Sequence, residues 1–177
     1  MPKPVLVIGG GPAGLEAARG IADLGYNAIL VDKADFLGGN PISASYAALT
    51  PDMRNAEEAI NEMAVAIMNN PLVDIRMNTT VVGSDGEAPN LKVTLKNSSG
   101  EEVVEVGSVI VSTGFQHFDP GKETQMYGYY EFDDVITLVD AEKMLKDGNF
   151  VRPSTGEKPD RVCFIQCVGS RDRQIGN

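Results

Sequence analysis

Three glycines and one carboxylate near the start of the chain have the types and spacing that bind a dinucleotide. Gly9, Gly11 and Gly14 form a GxGxxG pattern directly after the apolar run at residues 5–8. Glycines at these positions allow a tight turn, a close approach of a diphosphate to the backbone, and close packing of the next helix on the strand. Asp32 follows a second apolar run, eighteen residues after Gly14, where a ribose-binding acid is expected.

The flanking sequence predicts the strand–helix–strand unit that this pattern requires. Four consecutive apolar residues at 5–8 are typical of a strand buried on both faces of a parallel sheet. A helix is predicted from Pro12, which suits a first helical turn, to Gly25, which suits a C-cap. Its N-terminal N–H groups would face a diphosphate without any charged side chain. The alternative is an ordinary strand–turn–helix, and the second strand at 28–31 followed by Asp32 favours dinucleotide binding.

The middle of the chain predicts a second helix and a third parallel strand. Thr50 and Pro51 resemble an N-cap and a first helical residue, so a helix is predicted from there to about Asn70. Pro71 would end it, and residues 73–77 would form the strand.

Alternating residues then predict an antiparallel β-meander with one solvated face, over 79–83, 91–96 and 101–106. The apolar residues 109–111 predict a short buried strand, which ends at Ser112-Thr113-Gly114.

Composition limits the classes of function. The chain has 177 residues, 42% of them hydrophobic, which is enough for a packed core. A net charge of −10 argues against nucleic acid and against direct docking on anionic lipid. No apolar run is long enough for a spanning helix, and the chain enters its first strand without a signal peptide. Two cysteines make no disulfide framework, so we expect a cytoplasmic protein.

The order of these elements resembles the FAD domain of glutathione-reductase-like flavoproteins. That domain has GxGxxG, an acid after the second strand, a Gly-Gly loop, a meander, and a strand that ends in Ala-Thr-Gly. Gly38 and Gly39 match the Gly-Gly loop, and Ser112 stands where the pattern has Ala. Asp32 stands where the pattern usually has Glu. Because Asp is also the NAD-type residue, NAD remains an alternative to FAD.

Residues 112–120 and 161–172 resemble the family of A-type subunits of heterodisulfide reductase. The match is closest to its branch of alpha flavoprotein subunits from quinone-interacting membrane-bound oxidoreductase complexes. The chain has no cysteine before Cys163, so it lacks the cysteine-rich insert of heterodisulfide reductase, which favours that branch. We therefore expect the N-terminal part of a longer protein, with an α/β, Rossmann-like fold that is incomplete at its C-terminus.

The resemblance implies one subunit of an FAD-dependent oxidoreductase. It would carry electrons between partner iron–sulfur or membrane subunits and a quinone-linked pathway of the sulfate-respiration type, peripheral to the membrane through those partners. The implied positions are the diphosphate at residues 11–14, the ribose at Asp32, the adenine near Val81 and the middle of the cofactor near Thr113 and Gly114. The full set of expected cofactor-binding residues is Gly9, Gly11, Pro12, Ala13, Gly14, Asp32, Lys33, Gly39, Asn40, Val81, Thr113 and Gly114.

Three segments follow from the same resemblance: an FAD-binding domain at 1–115, a connecting segment with a short helix at 116–160, and the first strand of a second nucleotide-binding domain at 161–177. Cys163 is expected to be buried in that strand, and Cys167 to bind an iron–sulfur cluster only in a longer parent protein. His117 is expected to be solvated or structural.

No catalytic residue and no metal ligand can be assigned in this piece, which alone would be inactive and could have lost FAD. Two alternatives stay open. One is an NAD-dependent oxidoreductase domain, and the other is a non-catalytic nucleotide-binding or docking fragment.

Overall fold

The computed structural model describes residues 2–120 and 127–168. The chain divides into two compact units, one formed by Met1–Ser43 with Ala48–Gly114, the other by Ala44–Ala47 with Phe115–Asn177. The described strands are β1 (Val5–Ile8), β2 (Ala28–Val31), β3 (Ala48–Leu49), β4 (Arg54–Asn55), β5 (Val73–Arg76), β6 (Thr80–Asp85), β7 (Leu91–Asn97), β8 (Gly100–Val106) and β9 (Ser108–Val111). The described helices are α1 (Pro12–Asp23), α2 (Asn40–Ser43), α3 (Ala56–Met68) and α4 (Leu138–Lys146).

The first unit is built on a four-stranded parallel sheet with the order β5-β2-β1-β9. Val5 lies opposite both Ala28 and Ser108, so β1 and its two neighbours end at the same level. A three-stranded antiparallel sheet, β6-β7-β8, forms the meander. The predicted α/β class, with a parallel sheet and a meander, is confirmed.

The core explains why β1 is apolar throughout. Leu6 belongs to one buried cluster with side chains of the meander, such as Val93 and Val106. Val7 belongs to a second cluster with side chains of the helices, such as Leu15 and Ile60. Successive residues of a strand point to opposite faces, so a strand covered on both faces needs apolar residues at every position.

The start of α3 differs from the prediction. Thr50 and Pro51 lie in the turn between β3 and β4, and the helix begins at Ala56. Residues 48 and 49 pair antiparallel with 55 and 54, which commits the intervening residues to a turn. Asn55 is the N-cap, since its side-chain oxygen accepts a hydrogen bond from the Glu58 N–H at 3.1 Å.

The predicted burial of β9 is wrong. Val111 is 70% exposed and Ile110 is 38% exposed. β9 is an edge strand of the described sheet, and an edge strand has a neighbour on one side only. A short apolar run predicts a strand of a parallel sheet, but it does not tell a central strand from an edge strand.

The second unit contains α4, which begins at a capping box. The Thr137 hydroxyl accepts from the Asp140 N–H, and the Asp140 carboxylate accepts from the Thr137 N–H at 3.0 Å. The helix has no buried residue. Residues 162–168 form no strand, and Cys163 is exposed, which contradicts its expected burial. Strand structure requires pairing with another strand, and none in the described part of this unit supplies it.

Within the described ranges, no helix combines the length and the apolar character needed to cross a membrane.

Truncation of one buried and one exposed leucine tests the position of the core. Leu30 is fully buried in β2, whereas Leu24, just after α1, is 76% exposed. We expect Leu30→Ala to lower the free energy of unfolding by about 2–5 kcal/mol, because it removes buried methyl groups and leaves a cavity. Leu24→Ala should change it by less than about 0.5 kcal/mol. Urea unfolding measures both, and equal losses would contradict the core described above.

Candidate dinucleotide-binding site

The turn from β1 into α1 requires glycine at two of the predicted positions. Gly9 has φ +108°, a conformation that L side chains rarely adopt, and a Cβ there would overlap the carbonyl oxygen of Ser112. A Cβ on Gly14 would overlap the carbonyl oxygen of Gly9. The first turn of α1 is therefore packed directly against the backbone at the end of β1.

Gly11 differs from the other two glycines because it borders open space. Its φ of −75° suits any residue, and the nearest heavy atom to an added Cβ is the Cα of Gly39, at 3.8 Å. The Gly-Gly loop is tied to this turn, since the Gly38 N–H donates to the Gly10 carbonyl at 2.8 Å. The structure thus brings Gly39 beside the glycine turn and leaves the backbone at Gly11 approachable.

The N-terminus of α1 points backbone donors at this space. Gly11 is the N-cap and provides no side chain to cap the helix. Pro12 occupies the first helical position and has no N–H, and the Leu15 N–H donates to the Gly11 carbonyl at 2.9 Å. Ala13 and Gly14 are therefore the residues whose N–H groups have no acceptor within the helix. Such groups, together with the helix dipole, favour an anion.

Asp32 lies beside the turn and is half-buried. One carboxylate oxygen, Oδ2, accepts from the Gly10 N–H at 2.5 Å, and the other, Oδ1, accepts from the Ala34 N–H at 2.8 Å. A carboxylate oxygen has two lone-pair sites, so each can still accept a hydroxyl hydrogen. The backbone of Asp32 is fixed as well, because its carbonyl accepts from the Thr79 N–H at 2.8 Å.

The other predicted residues differ in how close they lie to the glycine turn. Thr113 lies next to the turn, with its Cα 3.1 Å from a Cβ added to Gly9. Gly114 is exposed with φ +69°, Lys33 is exposed, and Asn40 begins α2. Val81 lies in β6 opposite Leu95 and packs against the buried cluster that contains Val93 and Val106. The residues that the structure brings together are therefore the glycine turn, Asp32, Gly39 and Thr113.

Sequence reasoning missed two residues of this site. A Cβ on Gly10 would lie 2.7 Å from Cδ2 of Leu37 and 3.1 Å from Oδ2 of Asp32, so a side chain at this position would displace the Leu37 side chain. The run of three consecutive glycines was the available signal. The Ser112 hydroxyl donates to the carbonyls of Ile8, at 3.0 Å, and Gly9, at 3.1 Å. Its signal was the replacement of Ala by Ser in the Ala-Thr-Gly pattern.

In the second unit, His117 packs among aromatic side chains. Its Nε2 lies 3.0 Å from the Tyr46 hydroxyl, and its ring meets that of Phe115 edge to face. Burial raises the pKa of the Tyr46 phenol, and the negative charge of Glu142 adds to this effect. This environment agrees with a structural role for the histidine. Among the side chains that the structure describes, no three His, Cys, Asp or Glu residues are grouped to hold a metal ion.

One protein-family profile matches most of the chain. The profile of the pyridine nucleotide-disulphide oxidoreductase family matches residues 3–149. The chain belongs to this family.

Curated relatives confirm the resemblance to the A-type subunits of heterodisulfide reductase. In Methanopyrus kandleri, the first A-type iron–sulfur subunit of CoB–CoM heterodisulfide reductase is 26% identical over 250 residues, covering 94% of this chain and 37% of the relative. In Methanothermobacter thermautotrophicus, the A-type subunit of H2:CoB-CoM heterodisulfide,ferredoxin reductase is 49% identical over 82 residues, covering 43% of this chain and 12% of the relative. The chain thus spans less than two fifths of the length of these relatives. The longer alignment exceeds the length of the chain, so that relative contains internal residues that this chain lacks.

Solved structures show the same fold. L-proline dehydrogenase from P. horikoshii superposes with a TM-score of 0.56 at 21% identity, covering 63% of this chain and 22% of that one. The flavin-dependent monooxygenase PieE, in complex with FAD and substrate, superposes with a TM-score of 0.51 at 14% identity, covering 63% and 30% of the two chains.

Two glycines of α1 provide a matched test of the turn. We expect Gly14→Ala to destabilise the fold by about 1–3 kcal/mol, because the methyl group would overlap the Gly9 carbonyl and force α1 away from β1. Gly20→Ala lies on the same helix with open space around it, and should stabilise by up to about 1 kcal/mol through helix propensity. Thermal and urea unfolding distinguish the two. A stabilising Gly14→Ala would refute the close packing described here.

Proposed function

We propose that the chain is the FAD-binding part of one subunit of an oxidoreductase. The main support is one juxtaposition: approachable backbone at Gly11, uncapped N–H groups at the start of α1, and the Asp32 carboxylate beside them. A diphosphate needs donors and room, and a ribose needs a hydroxyl acceptor. These residues therefore fit the AMP half of a dinucleotide.

We assign each part of the cofactor to particular residues of this site. The N–H groups of residues 13 and 14 would hold the diphosphate, with Gly39 and Asn40 beside it. Asp32 would accept the ribose hydroxyls, with Lys33 next to it. The backbone near Val81 would meet the adenine, and Thr113 and Gly114 would approach the middle of the cofactor. When bound, FAD supplies the redox chemistry, and the protein binds it and tunes its potential.

Partner subunits are the second part of the proposal. The relatives are named as subunits of heterodisulfide reductases, three of them also as ferredoxin reductases. The whole protein would pass electrons between such subunits and a quinone-linked, sulfate-respiration type of pathway. The absence of cysteine before Cys163 favours the branch of quinone-interacting oxidoreductase subunits over heterodisulfide reductase itself. The protein would be cytoplasmic and would reach the membrane through its partners. Cys167 would bind an iron–sulfur cluster only in a longer protein.

The domain organisation is likewise proposed as an FAD-binding domain at 1–115, a connecting segment at 116–160, and the beginning of a second nucleotide-binding domain at 161–177. Residues 121–126 and 169–177 of the last two segments lie outside the described residues.

NAD is the second candidate, because Asp32 is one methylene shorter than the Glu of the FAD pattern. Its carboxylate is already held close to the turn by the Gly10 N–H. Identification of the compound released on heating the purified chain separates the candidates. Released FAD, or saturable uptake of added FAD, supports the proposal. Selective binding of NAD would replace it with the second candidate, and binding of neither would favour a docking fragment.

Gly11→Ala tests the site without disturbing the fold. The methyl group has a permitted φ and no neighbour closer than 3.8 Å, so the free energy of unfolding should change by less than about 0.5 kcal/mol. It would occupy the space needed by the diphosphate, and we expect the FAD dissociation constant to rise at least about tenfold. Fluorescence titration of FAD measures this, with Gly20→Ala as the control that should bind like the unsubstituted chain. Unchanged affinity in Gly11→Ala would contradict the assigned position of the diphosphate.

A further inference from the structure

The peptide unit that joins Gly9 to Gly10 is held at its carbonyl end by Ser112. The Ser112 Oγ lies 3.0 Å from the carbonyl oxygen of Ile8 and 3.1 Å from that of Gly9, so its one hydrogen can be donated to either carbonyl or shared between them. The Ser112 N–H also donates to the Ile8 carbonyl at 2.8 Å, which fixes the serine relative to β1. The Gly9 carbonyl oxygen is confined on another side by Gly14, where even a Cβ would overlap it.

The same peptide unit is held at its other end by Asp32. The Gly10 N–H donates to Oδ2 of Asp32 at 2.5 Å. A peptide unit is planar, so fixing its C=O and its N–H fixes its rotation. The two side chains follow β9 and β2, the two neighbours of β1, and so they hold the unit from opposite sides.

The next peptide unit has a contact of its own. The Gly10 carbonyl accepts from the Gly38 N–H at 2.8 Å, which positions the unit that ends at Gly11. Glycine backbone is otherwise the least restricted in a protein, and a run of three glycines loses much conformational entropy when it is ordered. Without side-chain anchors, that cost would fall on the binding of the cofactor.

We propose that Ser112 is a positioning residue, which together with Asp32 fixes the Gly9–Gly10 peptide plane and so orders the glycine turn before a dinucleotide binds. The part of this inference that concerns affinity rests on the proposed function. The ordering of the turn does not, because all of the contacts lie within the chain.

Ser112→Ala is the test variant, since Ala is smaller and matches the Ala-Thr-Gly pattern that this chain resembles. Ser108→Ala is the matched control, because Ser108 is exposed at the opposite end of the same strand. Amide hydrogen exchange by NMR is measured in the cofactor-free chain at Gly10, and at Val7 as a reporter of global opening. We expect Ser112→Ala to increase exchange at Gly10 about five- to tenfold, the effect of losing one hydrogen bond, and to increase exchange at Val7 by no more than that factor, because the lost bond also lowers global stability.

The FAD dissociation constant should rise in Ser112→Ala only by the factor by which the fraction of molecules with an ordered turn falls, which is at most the factor seen for exchange at Gly10. Ser108→Ala should move neither quantity. Unchanged exchange at Gly10 would overturn the positioning role. If the unsubstituted chain binds no FAD, the proposed function fails, and the exchange measurement alone still decides whether Ser112 orders the turn.

Discussion

The close approach of α1 to the end of β1 is the constraint on which the rest of the site depends. It is possible only because residue 14 has no side chain, as a Cβ there would overlap the Gly9 carbonyl. This contact directs the helix N-terminus toward the strand end and leaves the backbone at Gly11 open on its outer side. Electrostatic attraction for an anion then follows from the backbone alone.

The order of the strands supplies the groups around this turn. β2 and β9 flank β1 in the same direction and register, so the residues that follow each strand meet at one edge of the sheet. Asp32 follows β2, and Ser112 and Thr113 follow β9. Binding at the carboxyl ends of parallel strands is the general arrangement in open α/β sheets. The family membership and the site geometry therefore support the same class of chemistry.

Much of this arrangement could be predicted from the sequence, because the spacing of glycines and apolar runs reflects local sterics. The parallel sheet, the meander and the positions of Gly9, Gly14 and Asp32 were predicted for that reason. The hairpin before α3 was not, since Thr50 and Pro51 have the same local signature in a turn as at a helix start. The exposure of β9 and of Cys163 could not be predicted either, because burial depends on which segments pair with them.

The most direct measurement is a titration of the isotope-labelled chain with ADP, which has the diphosphate and ribose of the cofactor without its flavin. We expect saturable shifts of the backbone amide signals of Gly11, Ala13 and Gly14, accompanied by those of Asp32. Shifts confined to other parts of the chain, or none at concentrations well above those used for FAD, would contradict it.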